Sequence, residues 1–151
     1  MTHTRHYYNS KRFKPRRIKP GQRPRSIRCL FGKIALELGD AAERHVDMAF
    51  ADAQKNGQLP KWLTGWERQE KYSPADRCGV DFIFTTDVGK ILVQIKSSEA
   101  NAESFKLAHP DCDIVVVVVN ILDPHENIFW KIVNAIRNRR KDMLQNRVVK
   151  K

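Results

Sequence analysis

Residues 79–98 read GVDFIFTTDVGKILVQIKSS. Two apolar runs, 80–84 and 91–95, flank a segment of Thr85, Thr86, Asp87, Val88, Gly89 and Lys90, a pattern that predicts two β-strands joined by a tight turn. Side chains alternate along a strand, so Leu92, Gln94 and Lys96 share one face of the second strand while Ile91, Val93 and Ile95 share the other. An amide and an ammonium on a sheet face cost several kcal/mol unless they find partners. Asp81, near the start of the first strand, is the obvious acid. A two-residue turn at Asp87-Val88 sets Asp81 directly opposite Gln94. A three-residue loop with Gly89 in a bulge would shift the register by one, and the sequence leaves both open, with the first preferred.

Upstream, Gly39-Asp40 opens a helix that runs to about Asn56, with Asp40 as its cap and Gly57 as its stop. Ala42, Val46, Ala49, Phe50 and Ala53 recur on it at helical spacing. Glu43 borders that stripe and leans toward the core, but Asp40-x-x-Glu43 also has capping-box spacing, which would give the carboxylate a purely local task. Residues 27–38 are apolar and of undecided type. Residues 59–72, with Trp62 and Trp66 as packing residues, lead into a first strand over about 66–71.

Downstream, Ser97-Ser98 offers an N-cap for a helix through Ala108 that His109-Pro110 ends. Residues 114–119 form a continuous β-branched run, typical of a strand covered on both faces and expected in the sheet's interior. Asp123-Pro124-x-Glu126 then starts a last helix. Its apolar stripe is Ile128, Phe129, Ile132, Val133 and Ile136, and it is expected to end in Arg137, Arg139, Arg140 and Lys141. The order α-β-β-β-α-β-α predicts an α/β domain built on a mixed sheet with helices packed against it.

The chain has 151 residues, 41% of them hydrophobic, enough for one core. Its net charge of +11 is unevenly placed. Residues 1–28 hold 10 Lys and Arg and no acid, whereas residues 29–128 carry 10 basic against 16 acidic side chains. With Pro15, Pro20, Gly21 and Pro24 and no apolar period, 1–28 reads as a basic, extended arm, and 29–151 as one domain. Lys11, Arg12, Lys14, Arg16, Arg17 and Lys19 are its candidate phosphate contacts, together with Arg137, Arg139, Arg140 and Lys141 at the other end. Cys29, Cys78 and Cys112 are odd in number and widely spaced, which suggests neither a disulfide framework nor a zinc site. No apolar run is long enough to cross a membrane, so the expectation is a cytoplasmic protein with no membrane partner.

The polar set on the hairpin has a chemical use. Asp81 and the Gln94 side-chain oxygen can share a hard divalent cation, with the Ile95 carbonyl as a third oxygen and water or phosphate completing an octahedron. Mg²⁺ fits, and Mn²⁺ is the alternative. Glu43 can add a ligand from the helix. Lys96, on the same face, can position the attacking water and stabilise the charge that develops on a phosphodiester.

Glu43, Gly79-Val80-Asp81 and Gln94-Ile95-Lys96-Ser97 stand in an order that resembles the PD-(D/E)XK nuclease superfamily, whose pattern is a helix Glu, an Asp, and Glu/Gln-x-Lys on the following strand. The similarity covers about residues 39–119 and looks closest to the branch of archaeal Holliday-junction resolvases and methyl-directed restriction endonucleases. The resemblance implies the restriction-endonuclease-like fold, a central mixed four-stranded sheet flanked by helices. It also implies Mg²⁺-dependent phosphodiester hydrolysis and often a homodimer. Gln94 departs from the commoner Glu and lowers the negative charge of the site.

The expected function is therefore a metal-dependent nuclease acting on DNA, branched or foreign, with RNA as the second choice of substrate. The rival is a non-catalytic nucleic-acid-binding protein on the same fold. Both use the basic arm for affinity rather than for folding. A chain lacking residues 1–25 should keep its thermal transition nearly unchanged while its nucleic-acid affinity falls and its salt dependence flattens. Fluorescence anisotropy over a salt series checks this, and unchanged affinity at low salt would rule out a binding role for the arm.

Overall fold

The hairpin forms with the two-residue turn. In the computed structural model, which describes residues 25–149, strand β2 (Phe82–Thr86) pairs antiparallel with β3 (Gly89–Lys96), and Phe82 faces Val93 while Thr86 faces Gly89. Gly89 takes the turn's positive φ of 126°. The Thr86 hydroxyl donates to the Gly89 carbonyl (2.7 Å) and accepts from the Val88 N–H (3.3 Å), which satisfies the turn locally.

β1 (Leu63–Arg68) pairs antiparallel with β2, and β4 (Ile114–Val118) pairs parallel with β3, giving a four-stranded mixed sheet in the order β1-β2-β3-β4. β4 is thus an edge strand and not the interior strand expected from its β-branched run. That composition reports coverage of the strand's faces, and α3 (Glu99–Ala108) and α4 (His125–Val149) both pack against it. β1 also starts earlier than the expected 66–71. Ser98 caps α3 as its sequence predicts, accepting from the Asn101 N–H at 3.3 Å. A one-turn helix, α2 (Pro74–Arg77), with Ser73 as N-cap, fills the β1–β2 connection and has no counterpart in the expected order.

The first helix, α1 (Arg25–Lys55), is continuous over 31 residues. It takes in the undecided segment 27–38 and the end of the presumed arm, so Asp40 is a mid-helix residue and no cap. Gly39 inside a helix costs about 1 kcal/mol, an amount that the flanking helix formers Leu36, Glu37 and Leu38 absorb. Asp40 instead accepts from Arg44 one turn on (2.8 Å), from Arg68 (2.8 Å) and from Lys71 (3.2 Å). The expected stop holds: Gly57 lies beyond the last turn at φ 66°, and the Gln58 N–H donates to the Ala53 carbonyl at 2.9 Å.

The stripes of α1 and α4 meet over the sheet. Ala42, Val46, Ala49, Phe50 and Ala53 are buried with Ile128, Phe129, Ile132, Val133 and Ile136, and with Phe82, Phe84, Ile91, Val93 and Ile95 from the hairpin. α4 does not stop at Lys141 but continues for two more turns along the hairpin turn. Arg140 forks onto the Asp87 carboxylate (2.7 and 2.6 Å) and Arg147 donates to the Val88 carbonyl (2.6 Å). Phe50 is the hub, with its ring 5.0 Å from those of Phe84 and Phe129 and 5.5 Å from Trp66. Phe50→Ala should cost about 3–5 kcal/mol, read as a lower urea midpoint at unchanged slope.

Candidate active site

Asp81 sits one residue before β2, where its backbone is held from both sides. Its N–H donates to the Val93 carbonyl (3.0 Å), and its own carbonyl accepts from the Gln69 N–H (2.8 Å). Past that point β3 runs beyond the end of β2, so the Ile95 backbone meets side chains. The Asp81 Oδ2 accepts from the Ile95 N–H and from the Gln94 Nε2, both at 2.7 Å, and the same Nε2 donates to the Ile95 carbonyl at 3.3 Å. Asp81 and Gln94 are buried, at 7% and 6% exposure. The Gln94 Oε1 is buried as well and has no hydrogen-bond partner among the described residues.

Gly79 makes this packing possible. It adopts φ 81°, and a Cβ there would lie 2.7 and 2.9 Å from the Phe105 ring and 3.1 Å from the Gln94 Oε1. The Phe105 ring, carried by α3, supports Lys96, whose Nζ stands 4.9 Å above its centroid. His109 packs against the ring, with centroids 4.6 Å apart. Between α1 and α3 lies a cavity of about 420 Å³. Gln94, Ile95 and Lys96 line it from β3, Ser97 from the residue after it, Glu43 and Gly39 from α1, and Phe105 from α3. Asp81 is not in the lining and sits behind Gln94.

Glu43 reaches the cavity without a capping role. Its Oε2 accepts from the Arg68 Nη2 (2.9 Å) and Nε (3.3 Å), while Arg68 also donates to Asp40. This carboxylate–guanidinium–carboxylate set ties α1 to β1. Lys71 and then Arg68 hold the Asp40 carboxyl below its ordinary value.

Burial pushes the Asp81 carboxyl up to about 7, with the charges of Glu43 and Asp76 adding to the effect and the Ile95 N–H and Lys96 opposing it. Among the described residues no group of three or more His, Cys, Asp or Glu side chains is placed to hold a metal. A cation here would therefore be held by mixed oxygens, and the residues fit a hard one. Asp81 would supply the carboxylate, the Ile95 carbonyl lies on the same side of β3 and accepts from the Gln94 Nε2 at 3.3 Å, and the Gln94 Oε1 is a buried acceptor with no hydrogen-bond partner among the described residues.

Of the residues singled out in the sequence, Asp81, Gln94 and Ile95 meet directly, and Lys96 and Glu43 share the cavity with Gln94. Lys11, Arg12, Lys14, Arg16, Arg17 and Lys19 lie outside the described residues. The second basic group is partly consumed by the fold: Arg139 pairs with Asp113, Arg140 with Asp87, and Arg137 donates to Asn134 (3.1 Å), while Lys141 is exposed. Arg68 and Phe105 were not anticipated. Arg68 is a β1 residue with no local partner, and the only signal for Phe105 is its position seven residues after the Ser98 cap.

The raised Asp81 value carries a stability consequence with a definite sign. Its ordinary value is 3.8, so between about pH 4 and pH 7 the folded chain holds a proton that the unfolded chain has released. The stability from this group is full below that window and declines as pH rises through it, by up to about 1.4 kcal/mol per pH unit. Asp81→Asn should remove the decline and be at least as stable as the parent at pH 8. Urea unfolding of both proteins from pH 4 to 8 measures it, and parallel profiles would contradict it. Compared with family models, with curated proteins and with solved structures, the chain matches none.

Proposed function

We propose that the chain is a divalent-metal-dependent nuclease with a restriction-endonuclease-like arrangement of Glu43, Asp81, Gln94 and Lys96. The observation that carries this reading is the buried Asp81–Gln94–Ile95 cluster with its orphaned Gln94 Oε1, opening onto a cavity that Lys96 and Glu43 also line. Asp81, Gln94 and the Ile95 carbonyl would hold the ion, with Glu43 at hand across the cavity. When bound, Mg²⁺ or Mn²⁺ supplies Lewis-acid polarisation of a phosphate oxygen and a more acidic water.

The chain's own residues supply the rest. Asp81 must give up its proton for the ion to bind, so metal affinity should climb from pH 5 to 7 and level off above. Lys96 is held by an aromatic face and by no carboxylate among the described residues, which leaves its charge for the phosphodiester. Arg68 holds Glu43 at the cavity wall and offsets its charge.

One observation favours the alternative of a non-catalytic nucleic-acid-binding protein. The Gln94 amide already satisfies Asp81 without a cation. Incubation with linear, nicked, flapped and four-way-junction DNA, with and without Mg²⁺ or Mn²⁺, separates the two. Asp81→Asn and Lys96→Ala should fold, bind DNA and cut at least about 100-fold more slowly. Gln94→Glu should tighten Mg²⁺ in calorimetry, since it adds a charged oxygen at the cation. Should the parent bind no divalent ion and Gln94→Glu change nothing, the binding-protein reading replaces the nuclease.

Glu43→Gln tests the helix carboxylate separately. It keeps the hydrogen-bonding shape toward Arg68 and removes the charge, so metal affinity should fall while the melt shifts little. An unchanged Mn²⁺ titration would confine Glu43 to its ion pair.

A further inference from the structure

The catalytic cluster lies at the floor of a slot. Gln94 and Ile95 at the bottom are buried and Lys96 is half-buried, whereas Ala35 on α1, Asn101, Ser104 and Ala108 on α3, and His109 just after α3 are exposed at the rim. A phosphodiester must therefore descend between two helices to reach Gln94. The volume of about 420 Å³ belongs to the range of small-molecule pockets and admits about one nucleotide. A base-paired duplex cannot enter it.

The lining chemistry agrees. A groove that tracks a duplex needs basic side chains for the phosphates of two strands. Here Lys96 is the one Lys or Arg among the lining residues, and it lies near the floor. Besides Glu43, whose carboxylate is paired with Arg68, the remaining polar lining is uncharged or aromatic: Ser97, Asn101 and Ser104 offer hydroxyls and an amide, and His109 an imidazole. Such groups suit sugar hydroxyls and base edges. Small residues keep the way open, since a Cβ on Gly39 would meet nothing within 4 Å.

We infer that the slot takes a single unpaired nucleotide, so that the substrate class is nucleic acid with an unpaired or extruded residue at the scissile phosphate, and not uninterrupted duplex. This rests on the nuclease reading for the cutting step, but insertion itself needs no metal. Enzymes that work on a buried atom of nucleic acid solve the same problem by acting on single strands or by extruding the nucleotide.

The test separates insertion from cutting. A gapped duplex carrying one unpaired 2-aminopurine is titrated with the full chain in EDTA. Insertion should change its fluorescence saturably, and the same base paired within an uninterrupted duplex should respond at least tenfold more weakly. Ser104→Phe and Ala35→Leu fill the exposed rim from opposite walls. Each should lose the response at least tenfold with an unchanged circular-dichroism melt. With Mg²⁺ or Mn²⁺, the gapped strand should be cut at least tenfold faster than a covalently closed duplex circle is nicked. Equal attack on the circle overturns the slot inference and leaves the nuclease standing. A fluorescence response without cleavage of any substrate sustains the slot and sinks the nuclease. Cleavage with no response in the parent, or an undiminished response in both rim variants, also overturns the slot.

Discussion

A carboxyl group removed from water just before β2 sets the terms for the surrounding structure. Asp81 accepts two hydrogen bonds at 2.7 Å, one from the Ile95 backbone and one from the Gln94 amide. Both donors belong to the neighbouring strand, so the hairpin register and the polar cluster are one constraint. Those two bonds do not fully offset the desolvation, and the carboxyl stays protonated well above its ordinary range. A folded chain that retains such a group holds its proton to a higher pH, at the cost of stability near neutral pH. That exchange is common where a site serves a function rather than the fold.

Around this point the helices act as walls and supports. α3 brings Phe105 against Gly79 and under Lys96, which places the ammonium beside the cluster without a competing acid among the described residues. α1 carries Glu43 to the same place, and because it does not break at Gly39 it also extends the wall to Ala35. Arg68 then couples α1 to β1 through two carboxylates, so that Glu43 approaches the cavity already paired. The opposite end of the hairpin is fixed by α4, whose Arg140 and Arg147 seize the turn. Charges that look like a nucleic-acid surface in the sequence are partly structural.

Much of this was written locally. The alternation of residues 91–96, the Asp87-Val88 turn, the Ser98 cap, the Gly57 stop and the α4 stripe each depend on residues within a turn or two of one another. Such patterns decided the α/β class, the mixed four-stranded sheet and the meeting of Asp81 with Gln94. The tertiary structure alone decided what depends on distant partners. Arg68 finds Glu43 from 25 residues away and Arg140 finds Asp87 from 53, separations across which no local periodicity operates. For the same reason Asp40 read as a cap and proved to be an ion-pair acceptor within a helix. β4 lies at the edge because strand order follows from how β3, α3 and β4 pack, and a β-branched run reports only that its faces are covered. The slot belongs to no segment of the sequence, since it is the space left between two helices whose separation only the assembled core sets.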